Sequence, residues 1–256
     1  MNKLSLIKVG GKVVENPETL AKLLNDFKQI AGYKILVHGG GKLATELSQK
    51  MGIETKMVEG RRITDRETLE VVTMVYAGLV NKNIVAQLQA LHINAMGLCG
   101  ADFNLIRSIK RPVKDIDYGF VGDVQEVQGD VLADLINQNI VPVVAPITHD
   151  RQGQLLNTNA DTVANELAKA MAPHFEVHLY YCFEKPGVLM NPDDDNSLIR
   201  EIKRKEFEQY KEEGIIQGGM IPKLDNAFNA LACGVKEVII TQADRLLSGG
   251  GTHIIV

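Results

Sequence analysis

The chain of 256 residues has no tryptophan, only three cysteines, and little excess charge of either sign. Cys99, Cys182 and Cys233 form no CxxC pair, so reduced thiols are favoured over a disulfide scaffold or a zinc site. A net charge of -4 argues against nucleic acid, which is bound by basic surfaces. No continuous apolar run approaches the roughly 18 residues of a membrane span, and Lys8 interrupts the apolar start that a signal peptide needs. We therefore expect a cytoplasmic protein.

Glycine is the residue whose distribution is informative. Ten of the 23 glycines lie in four clusters, at residues 10–11, 39–41, 218–219 and 249–251. A flexible linker mixes its glycines with serines, whereas these clusters follow or separate apolar runs. They therefore predict loops in which the backbone approaches a ligand closely.

Apolar runs alternate with stretches of helical periodicity along the chain. Residues 4–9 and 33–37 are typical of buried strands, and each is followed by a predicted helix. This order predicts an α/β fold with an open, mostly parallel sheet sandwiched by helices. Residues 103–128 contain short runs between turn residues, which predicts hairpins at an edge of that sheet.

Three local predictions depend on single residues. Gly78 is expected to divide a helix over residues 65–91 into two pieces. Asp130 is the predicted N-cap of the next helix. Pro142 lacks a backbone N–H, which moves the predicted strand over residues 140–145 towards an edge or an end.

Two predicted strands end in a lysine or histidine followed by glycines. Lys8 precedes Gly10 and Gly11, an arrangement that lets backbone N–H groups, a helix N-terminus and a mobile cation converge on an anion. The simpler alternative is a tight turn beside a solvent-facing lysine. His38 precedes the next glycine cluster and is expected to be a packing residue rather than an acid or base.

The second glycine cluster also allows a different class of function. Gly39, Gly41 and Ala44 have a Rossmann-like spacing, with Glu59 at a suitable distance for a ribose contact. That fingerprint normally lies in the first strand–helix unit rather than the second. A dinucleotide-binding, Rossmann-like protein is therefore the alternative from another class.

Three later segments have unusual polar residues. The Arg61–Arg62 pair follows Gly60 and is either a carboxylate clasp or a surface basic pair. Residues 157–161 (Asn-Thr-Asn-Ala-Asp) open a predicted helix, and capping by Thr158 or Asn159 explains only part of their polarity. Lys223 lies in the first turn of a helix after Gly218 and Gly219, where the helix dipole disfavours a cation.

In their order, the motifs resemble those of the amino-acid kinase family, and within it the N-acetylglutamate kinases. The resemblance covers nearly the whole chain through IKVGG, VHGGG, EGRRIT, GFVGDV, VPVVAPI, LNTNADTVANELA and GGMIPK. It implies phosphoryl transfer from ATP, carrying Mg²⁺, to the side-chain carboxylate of an N-acyl-L-glutamate in arginine biosynthesis. N-Acetyl-L-glutamate is the preferred substrate of this interpretation, with N-succinyl-L-glutamate and N-acetyl-aminoadipate as alternatives.

The resemblance also implies an organisation into two lobes that share one sheet. Residues 1–172 would bind the acylated amino acid and form a homodimer interface, and residues 173–256 would bind ATP. The chain begins almost at its first strand, without the helical extension of arginine-inhibited hexameric members. The expectation from this comparison is an uninhibited homodimer.

Site residues are carried over by their position in the motifs. Lys8 and Lys223 would stabilise the transferring phosphoryl group, and Asp161 would hold both lysines. The implied substrate contacts are Gly40, Gly41, Arg62 and Asn157. The implied nucleotide or phosphate contacts are Gly10, Gly11, Gly187, Gly218 and Gly219. No metal ligand from the protein is expected.

Two positions depart from the family pattern. Residues 181–187 keep only Gly187 of the usual nucleotide-lobe motif. Arg61 stands where the family commonly has an apolar residue, and a second cation there suits an acyl group with its own carboxylate, such as succinyl. Strand alternation instead predicts that Arg61 points away from Arg62, which is the favoured interpretation.

Overall fold

The computed structural model describes residues 1–58 and 60–256. Glu59, part of the Rossmann-like interpretation, lies outside the described residues. The first elements in chain order are β1 (Lys3–Val9), α1 (Gly11–Glu15), α2 (Pro17–Gln29), β2 (Tyr33–His38), α3 (Gly41–Lys50), β3 (Met57–Val58), β4 (Arg61–Arg62), α4 (Arg66–Val72), a π-helical segment (Thr73–Val80), α5 (Asn81–Ala90) and β5 (Ala95–Leu98).

The remaining elements continue the alternation. They are a 3₁₀ turn (Asp102–Asn104), β6 (Ile106–Lys110), β7 (Gly122–Val127), α6 (Gly129–Asn137), β8 (Val141–Val144), β9 (Ile147–His149), β10 (Leu155–Asn157), α7 (Ala160–Met171), β11 (Glu176–Phe183), β12 (Glu201–Lys203), α8 (Arg204–Glu212), α9 (Met220–Ala232), β13 (Glu237–Gln242), a 3₁₀ turn (Ala243–Arg245) and β14 (Thr252–Ile255).

An eight-stranded sheet runs through the centre of the molecule in the order β12-β14-β13-β11-β1-β2-β8-β5. Neighbouring strands are parallel except β13 and β14. The strands β1 and β11 pair along their length at the centre of the sheet. The predicted fold class, an open and mostly parallel α/β sheet, is confirmed.

Side chains of β1 alternate between the two faces of the sheet, and each face has its own buried core. Leu4 and Leu6 enter the core that contains Val163 and Leu167 of α7. Ile7 enters the opposite core. Lys8 follows the same alternation as Leu4 and Leu6, so its side chain emerges on the α7 face at the carboxyl end of the strand.

The predicted hairpin lies in a different place from that expected. The strands β6 and β7 are antiparallel, but they belong to a separate four-stranded sheet in the order β10-β9-β6-β7 rather than to an edge of the central sheet. The antiparallel pair β9–β10 supplies the other half of this small sheet. Local turn residues predicted the hairpin. They did not predict the strands with which it pairs, because those strands lie about 40 residues further along the chain.

Two predictions based on single residues are wrong. Pro142 lies in β8, which is an interior strand between β2 and β5. The pairing of β8 with β2 begins only at Val143, so the missing N–H of Pro142 interrupts no bond to β2. Asp130 is not the cap of α6, because the helix begins at Gly129 with Gln128 in the cap position.

The helix around Gly78 is continuous instead of divided. The run from Arg66 to Ala90 passes through the π-helical segment without a break, and a Cβ atom on Gly78 would meet nothing within 4 Å. By length and composition alone this run meets the requirement for a membrane span, with a mean hydropathy of 1.2 in its window and 44% of that window buried. Ile84 and Leu88 of the run are fully buried, whereas Met74 and Leu79 are about half exposed.

Candidate active site

Asp161 lies in the first turn of α7 and contacts two lysines from different parts of the chain. Asn159 caps the helix by accepting hydrogen bonds from the backbone N–H groups of Asp161 and Thr162, at 2.8 and 3.2 Å. Lys8 Nζ is 2.6 Å from Asp161 Oδ1. Lys223 Nζ is 4.0 Å from Oδ2. The structure therefore brings together the three residues predicted to be catalytic.

The electrostatics of this group follow from its burial. The side chains of Lys8, Asp161 and Lys223 are only 11%, 20% and 15% exposed. Burial opposes ionisation of Asp161, but the nearby ammonium groups of Lys8 and Lys223 outweigh it and hold the pKa of Asp161 below its ordinary value. Burial also lowers the pKa of Lys223, against the charge of Asp161, which raises it. The ionised carboxylate is thus what keeps two cations in a poorly solvated place.

Lys223 is in contact with an aromatic side chain as well as with Asp161. Its Nζ lies 4.5 Å from the centroid of the Phe183 ring, within the range of a cation–π interaction. The helix α9 begins at Met220, so the lysine is in the first turn, as predicted. The preceding Gly218 has φ +54°, which explains why the turn into α9 has glycine at this position.

The first two glycine loops lie side by side at the carboxyl ends of β1 and β2. The N–H of Gly39 donates to the carbonyl of Val9 at 3.1 Å. A Cβ atom on Gly11 would lie 3.6 Å from the amide nitrogens of both Gly40 and Gly41. A Cβ atom on Gly40 would lie 3.2 Å from the Tyr76 ring, so the backbone passes too close to the helix for a larger residue.

Gly10 differs from its neighbours in the use of its amide. Its N–H donates to the carbonyl of Cys182 at 2.9 Å, which extends the pairing of β1 with β11. That donor is occupied by the protein itself. Gly10 therefore places Gly11 at the end of β1, while its own amide holds the two central strands together.

His38 is a packing residue, as the sequence predicted. It is fully buried; its Nδ1 donates to the carbonyl of Gly39 at 2.9 Å and its Nε2 accepts from Asn81 Nδ2 at 3.1 Å. Burial lowers the pKa of His38 to about 4. The neutral imidazole fixes the start of the second glycine loop.

A cavity of about 220 Å³, here called the inner cavity, opens beside the second glycine loop. Its wall includes Gly40, Gly41, Arg62 and Asn157, the four residues predicted to contact the substrate. Asn159 and Ala160, at the start of α7, also line it. Asp161, the next residue of α7, and the two lysines beside it therefore adjoin this cavity.

Arg62 is held firmly in the wall of the inner cavity. Its Nη2 donates to the carbonyl of Gly41 and to Thr45 Oγ1, both at 2.8 Å, and its Nη1 donates to Thr55 Oγ1 at 3.2 Å. Asn157 is fixed by donating to Thr64 Oγ1 at 3.0 Å. Both residues are only 8% exposed, so their side chains are ordered before any ligand arrives.

The predicted alternation of Arg61 and Arg62 is present, but it does not remove Arg61 from the wall of the inner cavity. Alternation along β4 does make Arg61 exposed and Arg62 buried. Both residues line the inner cavity. Arg61 and Arg111 also line a second space of about 590 Å³, the outer cavity, formed with residues of the β6–β7 hairpin.

A third space of about 390 Å³, the apolar cavity, lies next to Lys223, because Phe183, whose ring Lys223 contacts, is part of its wall. Phe183, Val188, Leu189, Met190 and Met220 form much of its wall. Gly187 lines it too, and a Cβ atom there would lie 2.6 Å from both Leu198 Cδ1 and Thr252 Oγ1. Gly218 and Gly219 are exposed beside this space and do not line it.

Several residues of the site carry no signal that sequence reasoning detected. Tyr76 lies within an apolar helix and resembles any core aromatic, yet its ring packs on Gly40 and it lines the inner cavity. Phe183 and Met220 line the apolar cavity as ordinary hydrophobic residues. Among the described residues, no group of three or more His, Cys, Asp or Glu side chains is placed to hold a metal ion.

Comparison with known proteins is consistent with this geometry. The model of the amino acid kinase family matches residues 3–242. Acetylglutamate kinase of Parabacteroides distasonis is 67% identical over 254 residues, which cover 99% of this chain and 100% of that protein. Acetylglutamate kinase of Bacteroides thetaiotaomicron is 63% identical and covers 98% of each chain. Acetylglutamate kinase of Methanopyrus kandleri is 42% identical over 98% of this chain and all of that protein.

Solved structures share the fold. An N-acetylglutamate synthase from Neisseria gonorrhoeae, complexed with coenzyme A and N-acetyl-glutamate, superposes with a TM-score of 0.83 at 20% identity, covering 99% of this chain and 59% of that one. Carbamate kinase from Giardia lamblia bound to AMP-PNP gives 0.71 at 16% identity, covering 99% and 98%. From the family match and the relatives of high identity, we conclude that this chain belongs to the amino acid kinase family.

Proposed function

We propose that this protein transfers a phosphoryl group from ATP to the side-chain carboxylate of N-acetyl-L-glutamate and so forms an acyl phosphate. The observation that carries the proposal is the placement of Lys8, Asp161 and Lys223 between a polar cavity and an apolar one. Relatives that are 62–67% identical are acetylglutamate kinases, which supports the substrate. Nothing in the site or the relatives favours the dinucleotide alternative.

The inner cavity suits the acylated amino acid. Arg62 provides a fixed guanidinium for the α-carboxylate, and Asn157 provides an amide for the polar atoms near the α-nitrogen. Gly40 and Gly41 present backbone at the same wall. With those groups engaged, the side-chain carboxylate extends towards the lysines.

The apolar cavity suits the adenine of ATP, because flat apolar bases are bound by hydrophobic walls with few polar contacts. Phe183, at the rim of this cavity, is in contact with Lys223. The phosphates of ATP would extend out of the cavity past this rim and so lie close to the lysine cation. In this assignment Gly187 lies beside the adenine ring. Gly11, Gly218 and Gly219 lie towards the phosphates of the nucleotide. Mg²⁺ carried by the nucleotide would neutralise part of the phosphate charge.

The reaction needs electrostatic stabilisation more than proton transfer. An oxygen of the substrate carboxylate attacks the γ-phosphorus and forms a new C–O–P linkage. The P–O bond to the β-phosphate breaks, and ADP leaves with that electron pair. No proton moves, so the protein's task is to hold Lys8 and Lys223 beside the charge that develops on the transferring group. Asp161 performs the positioning of both lysines.

Each half of the chain has its own part in the proposed reaction. Residues 1–172 are assigned to the acyl-amino-acid lobe and residues 173–256 to the nucleotide lobe; the division near residue 172 separates the β1-β2-β8-β5 half of the sheet from the β11-to-β12 half, which supports this. Half-exposed Met74 and Leu79 on the helical run support a homodimer interface in the first lobe. The assigned compartment is the cytoplasm, and the assigned pathway is arginine biosynthesis.

A coupled assay of ADP release with MgATP tests the proposal. The panel contains N-acetyl-L-glutamate, N-acetyl-aminoadipate, aspartate, carbamate and UMP, with hydroxylamine present to trap an acyl phosphate. Among these compounds, we expect ADP release and hydroxamate formation with N-acetyl-L-glutamate only. Hydroxamate from another panel member, or quenching of nicotinamide fluorescence on titration without any kinase turnover, would contradict the proposal.

A further inference from the structure

Two arginines line both the inner and the outer cavity. Arg61 and Arg111 stand at the wall where the 220 Å³ space meets the 590 Å³ space. Arg62 stands deeper, in the inner cavity alone. A ligand that fills the inner cavity and extends outwards therefore passes between two further guanidinium groups.

Arg111 is anchored but retains an unused donor. Its Nε and Nη2 donate to Asp123 Oδ1 at 3.0 and 2.6 Å, and its guanidinium carbon lies 5.4 Å from the Tyr118 ring centroid. Its Nη1 is buried and has no hydrogen-bond partner within the described residues. A buried donor without an acceptor is costly, so this atom is a natural place for a ligand oxygen.

Arg61 is exposed at the cavity mouth, and within residues 1–58 and 60–256 it has no ion-pair partner. Lys114 adds a further positive charge to the outer cavity. The two acidic side chains in that wall are Asp115 and Asp123, and Asp123 is already paired with Arg111.

N-Acetyl-L-glutamate makes no use of these cations. Under the proposed function its α-carboxylate meets Arg62 and its side-chain carboxylate is the nucleophile beside Lys8 and Lys223. Its acetyl group ends in a methyl, which gains nothing from a guanidinium. An acyl group that ends in a carboxylate would instead find a bidentate partner in Arg61 and a donor in Arg111.

We infer that the site accepts an N-acyl-L-glutamate whose acyl group carries a terminal carboxylate, with Arg61 and Arg111 as the residues that recognise it. This inference rests on the proposed function, because it concerns the same cavity and the same reaction. N-Succinyl-L-glutamate is the simplest probe, since it extends the acetyl group by one methylene and one carboxylate.

The test compares kcat/KM for N-succinyl- and N-acetyl-L-glutamate with MgATP in the wild-type enzyme and in Arg61→Gln. We expect the wild type to use the succinyl substrate at least as efficiently as the acetyl substrate. Arg61→Gln should lower kcat/KM for the succinyl substrate by about 10- to 100-fold, the range for loss of a charge-assisted pair. Its kcat/KM for the acetyl substrate should stay within about threefold, which also reports that the variant is folded.

A second variant and a matched control complete the design. Arg111→Lys keeps a cation beside Asp123 but removes the planar fork, and it should selectively lower succinyl turnover by about tenfold. The control is Arg107→Gln, which breaks a similar ion pair, with Glu126, on the same hairpin. Arg107 lines neither the inner nor the outer cavity. The ratio of the two kcat/KM values should be unchanged in Arg107→Gln.

The possible outcomes separate the two proposals. A wild-type enzyme that prefers the acetyl substrate by more than tenfold overturns the inference and leaves the proposed function intact. So does an Arg61→Gln effect of equal size on both substrates. Turnover of neither substrate by folded, ATP-binding protein overturns the proposed function itself, and the inference falls with it.

Discussion

The inner and apolar cavities lie on either side of Asp161, and they are built differently. The wall of the inner cavity contains buried polar side chains that are already hydrogen-bonded, such as Arg62 and Asn157. The wall of the apolar cavity is formed mainly by hydrophobic side chains around Gly187. Under the proposed function, the inner cavity would select its ligand through fixed charges and amides, and the apolar cavity would select through shape.

The largest effect is expected where the two sides meet. Lys8→Ala and Lys223→Ala should each lower kcat by about 100-fold or more, because each removes a cation from the transferring phosphoryl group. Steady-state kinetics with both substrates saturating measures this. Thermal unfolding should show that the variants remain folded, and full activity in either folded variant would remove the proposed role of that lysine.

The buried imidazole of His38, at the start of the second glycine loop, should make the folded protein less stable at acidic pH. The folded-state pKa of His38 is lowered from 6.5 to about 4, so the unfolded chain takes up a proton first as the pH falls. Its contribution to stability is complete above pH 6.5 and is lost between pH 6.5 and about 4, amounting to about 3 kcal/mol.

Urea unfolding of the wild type and of His38→Gln at pH 7 and pH 4.5 measures this loss. The wild type should lose more unfolding free energy between the two pH values than the variant does. An equal loss in both proteins would show that other groups dominate acid sensitivity.

Arg62→Gln should act on one side only. It removes the fixed guanidinium of the inner cavity, so KM for the acylated amino acid should rise by about tenfold or more. KM for ATP should remain within about twofold and serves as the internal control. A comparable rise in both KM values would break the division between the two cavities.

The smallest effect is expected from Gly187→Ala. The added methyl lies against Leu198 and Thr252, so KM for ATP should rise a few-fold and stability should fall by about 1–3 kcal/mol. Gly78→Ala is the matched control, because its Cβ would meet nothing within 4 Å and alanine favours the helix. That control should leave both KM values unchanged.

The same division explains how much of the site could be predicted from the sequence. Lys8 and Lys223 could be singled out because each lies close to a glycine pair, and because the helix dipole disfavours a lysine in the first turn. The role of Asp161, and the grouping of all three residues, were implied by the resemblance to the amino-acid kinase family. The wall of the apolar cavity could not, because Phe183 and Met220 have the same appearance as core residues. Burial against distant partners distinguishes a cavity wall from a core, and that information is not local.

The fold shows the same limit. The alternating strands and helices were predictable because the periodicity of apolar residues is local. The interior place of β8 and the separate sheet of β6 and β7 were not, since both depend on pairing with distant strands. The position of the strand that contains Pro142 was predicted wrongly for the same reason. The effect of a proline on a strand depends on which side of the strand is hydrogen-bonded at that residue.

The unequal distances from Asp161 to its two lysines have a consequence for the reaction cycle. Lys8 is locked at 2.6 Å, whereas Lys223 stands at 4.0 Å and approaches from α9, in the later half of the chain. Lys223, at the longer distance, can move towards a phosphate that binds and later move back. Lys8 remains paired with the Asp161 carboxylate throughout. Under the proposed function, Asp161 would then be the counter-ion to which Lys223 returns between turnovers.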